Sequence, residues 1–198
     1  MKTKLLTIIS ISLLFTGMSF AGQQKGTMKD PRDGQTYKTV KIGKQVWMAE
    51  NMNYDIKHSY CYENDPANCE KYGRLYKWNA ALNVCPEGWH LPTVEEFETL
   101  ISNVGGKAIA GKMLKSMIGW GENANGVDAF GFSVLPAGYR RDYDSFSSVG
   151  QDAKFWSATG SGENYAYYLS MDYFYEEARL ILYYKAGALS VRCLRGSN

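Results

Sequence analysis

The chain has 198 residues, with 22 Lys and Arg against 20 Asp and Glu, a formal net charge of +2. A near-neutral balance without a basic run excludes nucleic acid and anionic membrane as charge-driven partners, and leaves small molecules, glycans and proteins. The length suits one domain with its own apolar core.

Lys2 and Lys4 precede an apolar run from Leu5 to Phe15, followed by Ser19-Phe20-Ala21. This pattern predicts a secretory signal peptide over residues 1–21, cut after Ala21, and a single exported domain over 22–198. The run is too short to cross ~30 Å of hydrocarbon and has no stop-transfer flank, so no membrane insertion of the mature chain is expected. No cysteine follows it to carry a lipid anchor. Without the two leader lysines the basic count is 22 − 2 = 20 against 20 acids, so the exported chain is read as neutral overall. Its expected location is the periplasm, the outer surface or the medium.

Export makes a disulfide framework the first reading of Cys61, Cys69, Cys85 and Cys193. Four cysteines allow three pairings, and sequence alone does not choose among them. The expectation adopted joins Cys61 to Cys69 around a polar loop, and Cys85 to Cys193 across the length of the domain. His58 and His90 are isolated and no CxxC spacing occurs, so no metal site is predicted through these residues.

Residues 36–51 read as two short strands around a Gly43-Lys44 turn. Residues 54–73 are polar and read as a surface loop. Residues 73–83 have the composition of a short helix with Leu75, Trp78 and Leu82 on one side, and Pro86 bars its continuation. Thr93 and Glu96 form a capping box that starts a helix with the apolar stripe Val94, Phe97, Leu100, Ile101 and Val104. Gly105-Gly106 ends it. A catalytic Cys85–His90 pair would need a reduced thiol and a third orienting group, so CPEGWHLP is read as a structural corner. Residues 107–120 predict a second amphipathic helix carrying Ile109, Met113 and Met117.

Residues 121–165 are rich in Gly, Asn, Ser and Asp and read as long surface loops crossed by strands at FSVLPAG and KFWSAT. The tail reads as a β-meander. Tyr165, Tyr167, Leu169, Met171, Tyr173 and Tyr175 share one face at period two, Glu176-Glu177 turns the chain, and two strands follow around Lys185-Ala186-Gly187. Such tyrosines are ordinary half-buried strand residues or an aromatic platform for sugar rings.

The blocks DGQTYKTVKIGKQVWMAENMNY, YGRLYKWNAA, CPEGWHLPTVEEFETL, AFGFSVLPAGYR, FWSAT and LSVRCLR occur in order from about Asp30 to Arg195. Together they resemble the Fibrobacter succinogenes major paralogous domain, a family of exported bacterial proteins. That family is similar, more distantly, to the C-type-lectin-like fold shared with formylglycine-generating enzymes. The resemblance implies an α+β fold with two main helices, a twisted antiparallel sheet and a long loop region, here stapled by disulfides. The Glu-Pro-Asn-like and Trp-Asn-Asp-like calcium motifs of C-type lectins do not stand here; the chain reads FWSATGSGEN. Formylglycine-generating enzymes use a close cysteine pair, whereas Cys193 stands alone in the C-terminal half.

No cofactor is predicted. An EF-hand around Asn123-Ala124-Asn125-Gly126 fails because Gly121 and Phe132 fall at its first and last ligand positions, which leaves a non-EF calcium site using Glu122, Asn123, Asn125 or Asp128 as the one open alternative. The acid pairs Asp142/Asp144 and Glu176/Glu177 read as turn residues, and no nucleophile elbow, phosphate loop or dinucleotide fingerprint occurs. The expected function is therefore a non-catalytic exported binding module that recognises a glycan or an envelope or surface protein through residues 120–165. The expected contacts are Trp120, Asn123, Asn125, Asp128, Tyr139, Arg140, Tyr143, Trp156, Glu163 and Asn164. The alternatives are a secreted redox or hydrolytic enzyme and a purely structural envelope protein.

Overall fold

The computed structural model describes residues 24–121 and 123–196, so the expected signal peptide and Glu122 lie outside the described residues. The chain begins with β1 (Lys25–Lys29), β2 (Thr36–Ile42) and β3 (Gln45–Met48). The last two form the expected hairpin, with Gly43 at φ 59°, a region that favours glycine. After β4 (Ser59–Tyr60), the segment read as a loop folds into α1 (Pro66–Tyr72). Its signals are local: Asp65 caps the Ala67 amide, Pro66 takes the first position, and Gly73 ends the helix at φ 74°. Only Cys69 and Tyr72 are buried there, too few to raise a helical period.

The helix expected over 73–83 splits into β5 (Leu75–Lys77) and α2 (Trp78–Val84). Leu75 and Tyr76 are both buried, a two-faced demand that a strand inside a sheet meets, while Leu82 is exposed. β6 (Trp89–His90) leads into α3 (Val94–Asn103), where both halves of the Thr93–Glu96 capping box are made. The Glu96 carboxylate also holds His90 Nε2 at 2.8 Å. Past α3 the Gly106 amide donates back to the Ile101 carbonyl, a Schellman-like closure.

α4 (Lys107–Leu114) is shorter than the helix expected over 107–120. Its buried side is Ala110, Gly111 and Leu114, whereas Ile109 and Met117 are exposed. Two interactions stop it. Residues 115 and 116 leave the helix to bridge Val134, and the buried Lys115 ammonium donates to the carbonyls of Asp172 at 3.0 Å and Tyr175 at 3.2 Å. A Cβ on Gly111 would lie 2.4 Å from the Glu177 carbonyl oxygen, so close packing of small residues replaces the expected apolar stripe.

β7 (Ala137–Arg140), β8 (Phe146–Val149), β9 (Asp152–Ser161), β10 (Tyr165–Asp172), β11 (Arg179–Tyr184), β12 (Ala188–Leu189) and β13 (Leu194–Arg195) complete the chain. Thus the loop region expected over 121–165 holds three whole strands, β7, β8 and β9, and the first residue of β10. One sheet runs β1-β2-β3-β13-β6; the other runs β11-β10-β9-β7-β12-β5-β4, with β8 on β7. Strand pairs are antiparallel except β7 with β9. The class is α+β, with four α-helices among the described residues.

β10, the first strand of the meander, is buried on both faces, not one. Leu169 and Met171 pack with Trp47, Phe97, Leu114 and Phe155 in the core beneath α3 and α4. Ala166 and Tyr168 pack on the other side with Tyr76, Ala81, Val84 and Trp156. β10 ends at Asp172, so Tyr173 and Tyr175 lie beyond it, and Tyr165 is exposed.

The disulfides join Cys61 to Cys69 and Cys85 to Cys193, as expected. Their sequence separations of 8 and 108 residues correspond in the chain-entropy model to ~2.5 and ~4.7 kcal/mol. Replacing Cys85 and Cys193 together by Ser is expected to lower the unfolding free energy by roughly twice as much as replacing Cys61 and Cys69, measured by denaturant titration of each pair.

Burial raises Tyr37, Tyr168 and Tyr183 from 10.0 to about 12. The folded state keeps these protons while the unfolded chain loses them from pH 10, so their stability contribution is present below pH 10 and falls as pH rises toward 12. Thermal melts between pH 9 and 12 are expected to show this decline, and Tyr168→Phe to flatten it; a decline of unchanged steepness would remove Tyr168 from the account.

Candidate functional site

A cleft of about 530 Å³ opens between β2, the C-terminal end of α1 and the chain from Ser116 to Leu135. β2 contributes Tyr37, Lys38 and Thr39; α1 contributes Glu70, Lys71 and Tyr72; and Met117 and Ile118 line it from the loop after α4. The Cys61–Cys69 bridge fixes α1 beside it. Gly73 is required at this seam, because a Cβ there would meet Asn51 Cβ at 2.7 Å and the Met52 carbonyl oxygen at 2.9 Å.

Arg192 sits behind the cleft and holds its walls together. Its Nε donates to Asn51 Oδ1 at 2.9 Å, and its terminal nitrogens donate to the carbonyls of Phe132 and Ser133. Asn51 in turn donates to the Tyr72 carbonyl at 2.8 Å. The guanidinium lies 4.5 Å from the Phe132 ring centroid. Burial pushes the Arg192 guanidinium well below its ordinary value, to about 9, against the opposing pull of Asp128 and Glu50, so it stays charged at neutral pH. Both carboxylates line the cleft.

Asp128, with φ 44°, receives the Ser133 amide at 2.7 Å on one oxygen and the Ser133 hydroxyl on the other. It is the one expected contact residue that lines this cleft. The others are dispersed. Asn123 and Asn125 are exposed on the same loop, and Asn125 Oδ1 accepts the Trp120 amide at 3.1 Å. Trp120 is 5% and Trp156 0% exposed, with indole N–H groups donating to the carbonyls of Val134 and Tyr76. Both tryptophans are therefore core residues, a correction to their expected contact role.

Tyr139, Arg140 and Tyr143 fall on the β7–β8 hairpin. Arg140 is buried, lies 3.9 Å from the Tyr60 ring centroid and pairs with Asp144 at 2.6 Å, which gives it a packing role. Lys154 Nζ stands 3.5 Å from the Tyr139 ring centroid. Burial alone would raise the Tyr139 hydroxyl, but Lys154 and hydrogen bonds with Arg141 and Ser147 outweigh it and hold the group below the ordinary phenol value. Tyr143 is exposed. Glu163 and Asn164 are exposed in the β9–β10 turn, where Lys185 binds the Gly162 and Glu163 carbonyls through Nζ and the Asn164 carbonyl through its amide.

Among the described residues no three His, Cys, Asp or Glu side chains converge as metal ligands. The oxygens of Asn125 and Asp128 are used within their own loop, and Glu122 lies outside the described residues. Cys85 is bonded to Cys193 and His90 to Glu96, so a Cys85–His90 nucleophilic pair has no thiol.

The Fibrobacter succinogenes major domain model matches residues 40–195. The chain belongs to that family. No curated protein and no solved structure matches it significantly. The matched span takes in the cleft residues from Ala49 onward and leaves out those of β1, Gln35 and the β2 wall, so this Fibrobacter succinogenes major domain carries most of the site in its family region.

Sequence reasoning placed function in 120–165 and missed the walls from β2, α1 and Arg192. An arginine inside the otherwise apolar alternation of ALSVRCLR was the available signal, since a charge in a buried strand requires a partner network. Arg192→Met keeps the volume but leaves the Asn51, Phe132 and Ser133 acceptors unpaired. A loss of ~3 kcal/mol or more is expected by denaturant titration; a loss below ~1 kcal/mol would mean the three acceptors are satisfied otherwise.

Proposed function

We propose that the protein is an exported, non-catalytic binding module that holds a segment of an envelope or surface protein in the cleft beside Arg192. The observation that carries this reading is the exposed aliphatic rim: Met117 is 65% and Ile118 71% exposed, both at the mouth of a rigidly framed concavity. Exposed apolar side chains next to a cleft mark interaction sites. The lining mixes Lys25, Lys38 and Lys71 with Glu50, Glu70 and Asp128, a charge pattern that suits a polypeptide with both signs.

A glycan is the less favoured ligand here, because sugar rings stack on open aromatic faces and Tyr37 and Tyr72 are only 1% and 8% exposed. The disulfide pairing supports an oxidising, exported setting. Helices packed on a mainly antiparallel sheet support the C-type-lectin-like kinship, with the recognition surface moved toward the Ser116–Leu135 segment.

A photo-cross-linking residue at position 118 of the 22–198 domain, exposed to intact cells of the source, tests the proposal. Adducts with a protein band are expected, and Met117→Glu with Ile118→Glu is expected to weaken capture about tenfold or more, ~1.4 kcal/mol, without shifting the thermal midpoint. Retention on a polysaccharide array unaffected by the double substitution would replace this reading with a glycan site elsewhere on the surface.

A further inference from the structure

β11 is an end strand of its sheet, paired on one side with β10 and on the other with no strand among the described residues. Its sequence RLILYY has no charge after Arg179, and Ile181, Leu182 and Tyr184 are 39%, 44% and 41% exposed. The other sheet ends differ. β1 reads KGTMK, with a lysine at each end, β4 and β6 are two residues long, and β8, the outer strand on β7, is four residues long with two serines and only Val149 exposed. Charged or short edges are how sheets avoid adding strands, and a long apolar edge invites one.

The backbone of this edge is available. The Lys185 amide donates to the Asn164 carbonyl, so by the alternation of an antiparallel ladder the odd-numbered residues of β11 face β10. The N–H and C=O groups of Leu180 and Leu182 therefore point outward. The Ala178 amide already donates to the Lys107 carbonyl, which sets the lower limit of the free edge at Arg179.

The flanks say what fits. Glu176 and Glu177, which pair within the chain with Lys112 at 2.6 Å and Arg179 at 3.4 Å, precede the strand and Lys185 follows it, so carboxylates stand at one end and an ammonium at the other. A second strand lying antiparallel brings unlike ends together when it is a copy of the first. The geometry points to a second copy of this chain as the occupant of β11, paired about a two-fold axis through Ile181. In that register Ile181 faces the partner's Ile181, and Leu180 exchanges both backbone bonds with the partner's Leu182. Arg179 lies opposite the partner's Tyr183, and Glu177 opposite the partner's Lys185. Moving the axis to Leu182 would instead set Arg179 against the partner's Lys185, a like-charge pair that disfavours that alternative. The result is an isologous dimer with one continuous sheet crossing the interface.

This dimer uses no residue of the cleft, so its test is independent of the binding proposal. Sedimentation velocity of the 22–198 domain over a concentration series is expected to show a monomer–dimer equilibrium. Hydrogen exchange at the Leu180 and Leu182 amides is expected to slow as the dimer fills. Ile181→Lys sets two ammonium groups face to face on the axis and is expected to weaken the dimer about tenfold or more, with an unchanged melt because Ile181 is partly exposed. Glu177→Lys is expected to weaken it, and adding Lys185→Glu to restore it. A monomer at every concentration, or a dimer indifferent to Ile181→Lys, overturns the inference.

Discussion

The fold depends on the passage of residues 190–194 through its centre, with the buried Arg192 guanidinium at the midpoint. Ser190 exchanges backbone bonds with Lys154 and Trp156 of β9, Val191 accepts from Met52, and Cys193 accepts from Met48. Leu194 pairs with Trp47 and His90. This segment leaves one sheet at β12 and enters the other at β13, so the two sheets share a single strand path. Arg192 then ties that path to Asn51 and to the carbonyls of Phe132 and Ser133, groups that would otherwise be buried without partners.

A cation buried without a carboxylate in direct contact is an unusual choice for a core, since burial disfavours its charge. Its compensation here is geometric. The planar fork reaches acceptors on two segments, stacks near Phe132 and Phe155, and keeps Asp128 and Glu50 close enough to oppose the cost of desolvation. The Cys85–Cys193 bridge adjoins this network and prevents the final segment from withdrawing. The cleft follows from it, because the same bonds that satisfy Arg192 set the distance between α1, β2 and the Ser116–Leu135 segment.

The two proposed surfaces have different physical origins. The cleft is framed by a disulfide, a required glycine and the arginine network, which gives it a fixed shape with exposed aliphatic groups at its mouth. The β11 edge is the reverse, a regular strand whose outward backbone bonds and side chains are left open. Binding at the first is governed by shape and local charge, and at the second by backbone pairing and register.

Elements with local signals were legible in the sequence: the Gly43-Lys44 hairpin, the Thr93–Glu96 capping box and the glycine stop after α3 each rest on residues close together in the chain, and the family resemblance rests on six short blocks, each legible by itself. α1 carried Asp65, Pro66 and Gly73 but lacked enough buried residues to show a period. The length of α4, the division of 73–84 into strand and helix, and the double burial of β10 were not legible, because each is set by a partner far away in sequence: Val134 and Asp172 for α4, Leu189 for β5, and two separate cores for β10. The candidate site follows the same rule. The sequence by itself determined that the four cysteines serve as a disulfide framework, because their even number and the leader pattern need only local signals. Its six ordered blocks carried the family resemblance and with it the α+β class; which cysteines pair was decided by the fold. Tertiary structure alone decided that Trp120 and Trp156 belong to the core, that Arg192 joins Asn51 to Ser133, and that Met117 and Ile118 stand at the mouth of a cleft, because burial and convergence are properties of residues brought together only when the chain is closed.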